Sequence, residues 1–301
     1  MTTAPNRTFI RASEVWVPTA DGTELALENG LYDDVPQFGA LSRPMRFRRG
    51  DGLPGRVWDE GRPMLLDGFP GSFFRRTEAA GAVDLTCGIA VPWYRAGALS
   101  AVLVLFCGDR QAHAGAIELW HNDPRVTGDM TLHAGYYGTS PEALATLSRD
   151  TYLPRGAGLP GLAWQRGEAV FIDDLAASAR FLRGDTTRSA GIDRAFAFPC
   201  ALPGDTSWVI TFLSAADTPI ARRMERWVPD ARGKVLQRVA VAGEPDATPV
   251  EVMLDRGGSP LVRAFLTGAP AIGERVDEAP GLVALPIYAD EVVSEVVVLA
   301  F

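Results

Sequence analysis

At 301 residues, with 47% hydrophobic and 22% charged side chains, the chain has ordinary globular composition and room for two or three compact units, which excludes a disordered or fibrous protein. Asp and Glu outnumber Lys and Arg by 37 to 29, for a net charge of -8, and the longest basic clusters are as short as FRRG and ARRMER, so nucleic acid is not an expected partner. No apolar run reaches the roughly 20 residues of a membrane helix, the opening MTTAPNRTFIRASEVW has no apolar signal core, and the widely spaced Cys87, Cys107 and Cys200 argue against a disulfide framework; the expectation is a cytoplasmic protein without a membrane partner.

The first predicted element is a β-hairpin. ASEVWVPTADGTELAL holds Trp16 in one alternating apolar half, turns at Asp-Gly, and runs into a second half. Next comes a glycine turn in RRGDGLPGRVWDEGRPMLLDGF, where Pro54 is read as the first residue of a two-turn helix and Gly61 as its stop. Val57 and Trp58 make the inward face of that helix. A strand follows in PMLLD, then the polar, aromatic and arginine-bearing stretch GFPGSFFRRTEAAGAVD, then a second hairpin, CGIAVPWYRAGALSAVLVLF, with Pro92 near its turn.

The same series then recurs. AIELWHNDPRVTGDMTL carries Trp120, PRGAGLPGLAWQRGEAVFIDDL repeats the glycine turn with Pro160 and Gly167 as helix marks and Ala163 and Trp164 facing inward, LAASARFLRGDTTRSAGID repeats the polar stretch, and RAFAFPCALPGDTSWVITFL repeats the closing hairpin around Pro199. A third copy opens at RMERWVPDARGKVLQRV with Trp227 and closes at GLVALPIYADEVVSEVVVLAF with Pro286. Its turn is worn to DRGGSPLVRAFLTGAPAIGE, and only a short stretch separates AIGE from LPIY. Three landmarks in one order define a tandem repeat, with units expected at 1–110, 111–218 and 219–301.

The Gly-Leu-Pro-Gly turn followed by an aromatic and Gly-x-Pro, the arginine-bearing stretch before AGID, and the Val-Pro hairpin ending resemble the GAF domain, a ligand-binding and signalling module. The resemblance covers about residues 11–109 and 114–217 well and about 222–301 weakly. It implies an α+β fold: in each unit an antiparallel sheet with short helices and loops on one face, roofing a ligand pocket. The third unit then reads as a degenerate cap without a pocket. The segments CGDRQAHAGA and SAADTPIARR between units are too short for the long flanking helices of the family. Since SAVLVLFC, SWVITFLS and SEVVVLAF are almost continuously apolar, both faces of those strands need cover. The expectation is sheet-on-sheet packing, between units or across a homo-oligomer interface.

Chemistry-bearing motifs are weak. GDGLPG lacks the Gly-Lys-Ser/Thr and Gly-x-Gly-x-x-Gly spacings of phosphate loops, and positive φ with a pre-set helix start accounts for it without a ligand. His113, His121 and His133 have no metal-ligand spacing, no Gly-x-Ser-x-Gly elbow is present, and Cys200 stands where the sister units have Trp93 and Ile287, a packing position. What the GAF resemblance points to is the pocket wall: Phe73, Phe74, Arg75, Arg76, Trp93 and Tyr94 in the first unit, and Tyr137, Phe181, Arg183, Arg188, Phe196 and Cys200 in the second. Aromatics with arginine suit a small anionic or aromatic ligand; no cofactor or metal is assigned. Three functions stay open: a non-catalytic sensor or regulatory protein that binds a small molecule or a partner protein, an assembly protein built of GAF-like blocks, and a cysteine-dependent enzyme of the free methionine sulfoxide reductase type.

Overall fold

The computed structural model describes residues 8–108, 114–175, 177–178, 184–244, 250–255, 257–276, 279–289 and 291–301. The first unit runs β1 (Ile10–Pro18), β2 (Leu25–Leu31), α1 (Pro36–Ser42), β3 (Arg46–Phe47), α2 (Gly52–Glu60), β4 (Met64–Asp67), α3 (Thr77–Ala82), β5 (Leu85–Arg95) and β6 (Ala98–Gly108). The second repeats it as β7 (Ala114–Asn122), β8 (Met130–Gly138), α4 (Glu142–Arg149), β9 (Tyr152–Leu153), α5 (Gly158–Arg166), β10 (Val170–Ile172), α6 (Gly184–Ser189), β11 (Ile192–Cys200) and β12 (Ser207–Ala215). The third holds β13 (Arg223–Pro229), β14 (Val235–Gly243), β15 (Glu251–Met253), α7 (Pro260–Thr267), β16 (Ala271–Gly273), β17 (Leu282–Ala289) and β18 (Val292–Ala300). Each unit folds into one six-stranded sheet: β3-β2-β1-β6-β5-β4, then β9-β8-β7-β12-β11-β10, then β15-β14-β13-β18-β17-β16. Every pairing among these strands is antiparallel. These are three tandem GAF-like α+β units. The third is complete in its sheet, and what it lacks among the described residues are counterparts of α1 and α3.

Local chemistry explains the shared landmarks. Register shifts beside each tryptophan, at Val15/Trp16, Leu119/Trp120 and Arg226/Trp227, leave one extra residue on the facing strand, a β-bulge that adds twist and curls the sheet. In the glycine turn, helix α2 begins two residues earlier than Pro54 suggests, at Gly52, whose φ of +58° favours glycine. A side chain on Gly55 would have its Cβ 2.0 Å from the Arg48 carbonyl oxygen, and one on Gly161 would lie 2.5 Å from that of Pro154. The third unit starts its helix by other means: Ser259 caps α7 by accepting a hydrogen bond from the Val262 amide, and Pro260 is the first helical residue. All three helices still stop on a left-handed glycine, Gly61, Gly167 and Gly268.

The faces that long helices would cover are buried against one another. One apolar cluster draws Ile89, Val91 and Leu105 from the first unit, Phe196, Ile210 and Phe212 from the second, and Val283, Leu285 and Val297 from the third. The contacts run head to tail. Strand β4 lies against β8, β16 lies against β1 and β2, and between the second and third units Ala169 donates its amide to Glu295 at 2.5 Å while Arg226 reaches Glu168 at 2.7 Å and also binds Glu295. Pro92, Pro199 and Pro286 meet where the closing hairpins converge. Sheet-on-sheet packing is therefore satisfied within one chain, and the burial argument does not call for a second copy. Among the described residues no helix is long and apolar enough to cross a membrane.

Candidate functional site

On the helix-covered face every unit buries a glutamate two positions before its tryptophan. Glu14, Glu118 and Glu225 are 0%, 0% and 3% exposed, and they accept the indole N–H of Trp16, Trp120 and Trp227 at 2.9, 3.0 and 2.7 Å. Residues i and i+2 of a strand share a face, so Glu-x-Trp places donor and acceptor side by side. A second repeated pair completes the cluster. Tyr32 and Tyr137 donate to Glu14 and Glu118 at 2.9 and 3.1 Å, and each ring lies over a glycine two residues earlier, Gly30 and Gly135, where a Cβ would come within 2.4 and 2.7 Å of it. The third unit substitutes arginines: Arg223 and Arg238 both donate to Glu225.

In the first unit this face is filled. Arg76 donates to both oxygens of Glu14, at 2.5 and 2.8 Å, and also to Ser42. Its guanidinium sits 4.3 Å from the Phe38 ring and 5.2 Å from Phe106, and Phe69 stacks on Phe74 at 4.1 Å. Burial by itself pushes the Glu14 carboxyl up, but the charge and hydrogen bond of Arg76, with those of Ser42 and Tyr32, hold it below its ordinary value. Burial pushes the Tyr32 hydroxyl up, and Glu14 adds to it. The second unit keeps Glu118, Tyr137 and Ser148, with Ser148 donating to Glu118 at 2.7 Å. Among the described residues its sheet contributes smaller side chains: register puts Leu213 where the first unit has Phe106, and Thr211 opposite Glu118 where the first has Val104 opposite Glu14. Thr211 is fully buried, and its hydroxyl has no hydrogen-bond partner among the described residues.

The structure does not gather the sequence-predicted wall into one pocket. Phe74 and Arg76 belong to the buried cluster; Phe73 packs under Arg56 at 4.1 Å, and Arg75 turns outward to Asp51 at 2.7 Å. Tyr94 is half-buried near Gly61, its hydroxyl pushed up by burial. Trp93 lies on the opposite face, in the shared core, donating to the Pro286 carbonyl at 3.0 Å. Phe196 is there too, stacked between Phe171 and Phe212. Tyr137 reaches the polar cluster, Arg188 is exposed near the end of α6, and Cys200 is partly buried on β11 opposite Trp208. Phe181, Arg183 and His113 lie outside the described residues. The buried glutamates were missed. The signal for them is plain alternation, since Glu14 shares the face of a tryptophan that must be inside.

The cysteines stand differently from their spacing. Cys87 and Cys107 are direct cross-strand partners on β5 and β6, both fully buried, and burial pushes the Cys200 thiol up, away from the thiolate that sulfur chemistry requires. His121 and His133 pack together beside Trp208 at 5.0 Å between ring centres, and Arg62 of the first unit approaches the His133 Nε2 at 3.0 Å. Among the described residues no group of three His, Cys, Asp or Glu could hold a metal ion.

A cavity lies elsewhere, at the seam where the first unit meets the third. It measures about 320 Å³ and has apolar walls of Ile10, Ala12, Leu31 and Phe301. Polar and charged side chains complete the lining: Thr8, Ser13, Arg11 and Asp34, joined at 2.8 Å, Arg275 and Asp33, joined at 2.9 Å, and Arg222.

No family model matches the chain, and no curated protein is similar to it. Solved structures are. The GAF domain of A. Aeolicus nlh2 in an inactive state is 22% identical over 33% of this chain and 58% of its own, at a TM-score of 0.27. Free methionine-R-sulfoxide reductase from Neisseria meningitidis in complex with its substrate is 18% identical over 35% of this chain and 53% of its own, at 0.26. Mutated NreA protein in nitrate binding site from Staphylococcus aureus is 15% identical over 36% and 78%, at 0.28. The chain thus spans little more than half the length of the first two.

Proposed function

We propose that the protein is a non-catalytic regulatory protein of GAF-like units that recognises a small polar ligand on the helix-covered face of its second unit. One observation carries the reading: the first unit closes this face with Arg76 and phenyl rings, and in the second the buried Thr211 hydroxyl beside Glu118 has no partner among the described residues. A buried hydroxyl lacking a hydrogen bond costs about 1–3 kcal/mol, and a ligand group would recover it. Tyr137 and Arg188 remain the proposed polar contacts from the sequence. Native mass spectrometry of freshly purified protein, with a thermal-shift screen of small polar metabolites, tests the reading. A retained or stabilising compound that is lost in Thr211→Val, with the variant's own stability unchanged or raised, supports it; identical profiles for the two proteins refute it.

An assembly role is a second reading. Val239 and Val241 of β14 are 50% and 46% exposed, and Val241 pairs with Glu225 on the face that α1 and α4 cover in the sister units. Oligomer masses in the same spectra would favour it.

A further inference from the structure

One position differs in size between the seam that holds the cavity and the seam that joins the first and second units. Leu31 follows Gly30, which pairs with Glu14; Tyr136 follows Gly135, which pairs with Glu118. In the second unit Tyr136 fills the corresponding place, packing on Phe9 at 5.7 Å and hydrogen-bonding Thr86 at 2.7 Å. Leucine is shorter, and Leu31 lines the cavity. About ten waters' worth of liquid would occupy that volume, the size of a small metabolite.

Its two ion pairs are unequal. Arg11 is nearly buried and fixed by Asp34 and by the Val83 carbonyl at 2.7 Å. Arg275 and Asp33 are 38% and 30% exposed, and a pair so exposed contributes about 0–1 kcal/mol. Arg275 spends Nε and Nη2 on Asp33 and on the main-chain oxygen of Phe301, while its Nη1 has no hydrogen-bond partner among the described residues. A guanidinium carries five donors arranged for a planar carboxylate, so this one has donors to spare beside apolar walls.

We infer that the seam between the first and third units is a binding site for a small organic carboxylate with an apolar body. The carboxylate takes Arg275 Nη1 and competes with Asp33 for the rest of the fork, and the body lies on Leu31, Ile10 and Phe301. Such a ligand bridges the first and last units of the ring. The site is separate from the helix-covered face of the second unit, so either proposal can fail without the other.

The test is isothermal titration of the full chain with benzoate and hexanoate, and with benzamide and hexanamide as neutral analogues. The carboxylates are expected to bind at least about tenfold more tightly than the amides, a difference of about 1.4 kcal/mol. Arg275→Gln is expected to bring that ratio near one, and Asp33→Asn to tighten carboxylate binding by removing a competitor. Leu31→Tyr, which copies the sister seam, is expected to abolish binding of both; if it fails to fold, Arg275→Gln decides alone. Absence of carboxylate binding at millimolar concentration, equal binding of the amides, or an unchanged ratio in Arg275→Gln would overturn the site.

Discussion

Replacing Arg76 by methionine removes the counter-charge of a carboxylate that no water reaches. Glu14 is 0% exposed, and Arg76 supplies both of its charged hydrogen bonds, at 2.5 and 2.8 Å. Methionine keeps much of the packing against Phe38, Phe74 and Phe106, so the loss is chiefly electrostatic. Removing one member of a buried ion pair costs about 3–5 kcal/mol, which for a chain of this size lowers Tm by about 6 °C or more. The pH dependence distinguishes this from a packing defect. In the native protein the Glu14 pKa is lowered, so its contribution is present above the unfolded carboxylate value of about 4.3 and is lost as pH falls through the lower folded value. In Arg76→Met burial acts unopposed and raises the pKa; the variant then takes up a proton on folding. The stability gap between the two proteins should therefore narrow on acidification from about pH 7 to about pH 4. Adding Glu14→Gln should recover part of the loss, since an amide oxygen still accepts from Trp16 and Tyr32. Urea unfolding followed by tryptophan fluorescence at several pH values measures each quantity. A single-variant loss below about 1 kcal/mol, with a gap that does not change with pH, would refute the buried pair.

Trp58 is 7% exposed and packs among Leu53, Val57 and Phe47, so Trp58→Ala should cost about 3–5 kcal/mol by denaturant midpoint; Trp164→Ala should cost clearly less, because in α5 the inward face is Leu159, Leu162 and Ala163 and Trp164 is only half-buried. Gly30→Ala should displace the Tyr32 ring and destabilise, whereas Gly81→Ala, in α3 with open space around it, should stabilise by up to about 1 kcal/mol, both read as Tm. Burial, His121 and Arg62 lower the His133 pKa to about 4, so its neutral form favours the fold and stability is lost as pH falls from the unfolded value of about 6.5 toward the folded one. Histidine NMR titration should find it there, and His133→Gln should flatten the acid loss; a midpoint near the ordinary histidine value sinks this. Residues 1–110 alone would expose Ile89, Val91, Leu103 and Leu105 of the shared core and should self-associate in sedimentation velocity, while a stable monomer would show that each unit covers its own sheet.

Local backbone chemistry was legible in the sequence because a few adjacent residues encode it. Gly61 and Gly167 end their helices in the left-handed conformation, the Trp16, Trp120 and Trp227 hairpins pair as read, and the apolar runs of β6, β12 and β18 are buried on both faces. The worn third turn still starts a helix, because Ser259 replaces glycine geometry with a side-chain cap, and its sheet is whole although the unit has no counterparts of α1 and α3 among the described residues. Glu14 was readable in part: alternation puts it on the face of Trp16, and a buried indole N–H needs an acceptor. Its ion partner was not, because Arg76 lies 62 residues away and arrives only when α3 and β1 are brought together by the sheet order. The arginines of FFRRTEAAG look alike in sequence, yet Arg75 faces solvent and Arg76 is enclosed. Tertiary structure alone decided which sheet face covers which, and so left Trp93 and Phe196 in the shared core. It also placed Leu31 at the seam that holds the cavity and Tyr136 at the seam between the first and second units, because a cavity is a mismatch of volumes between distant parts of the chain and no local pattern records it.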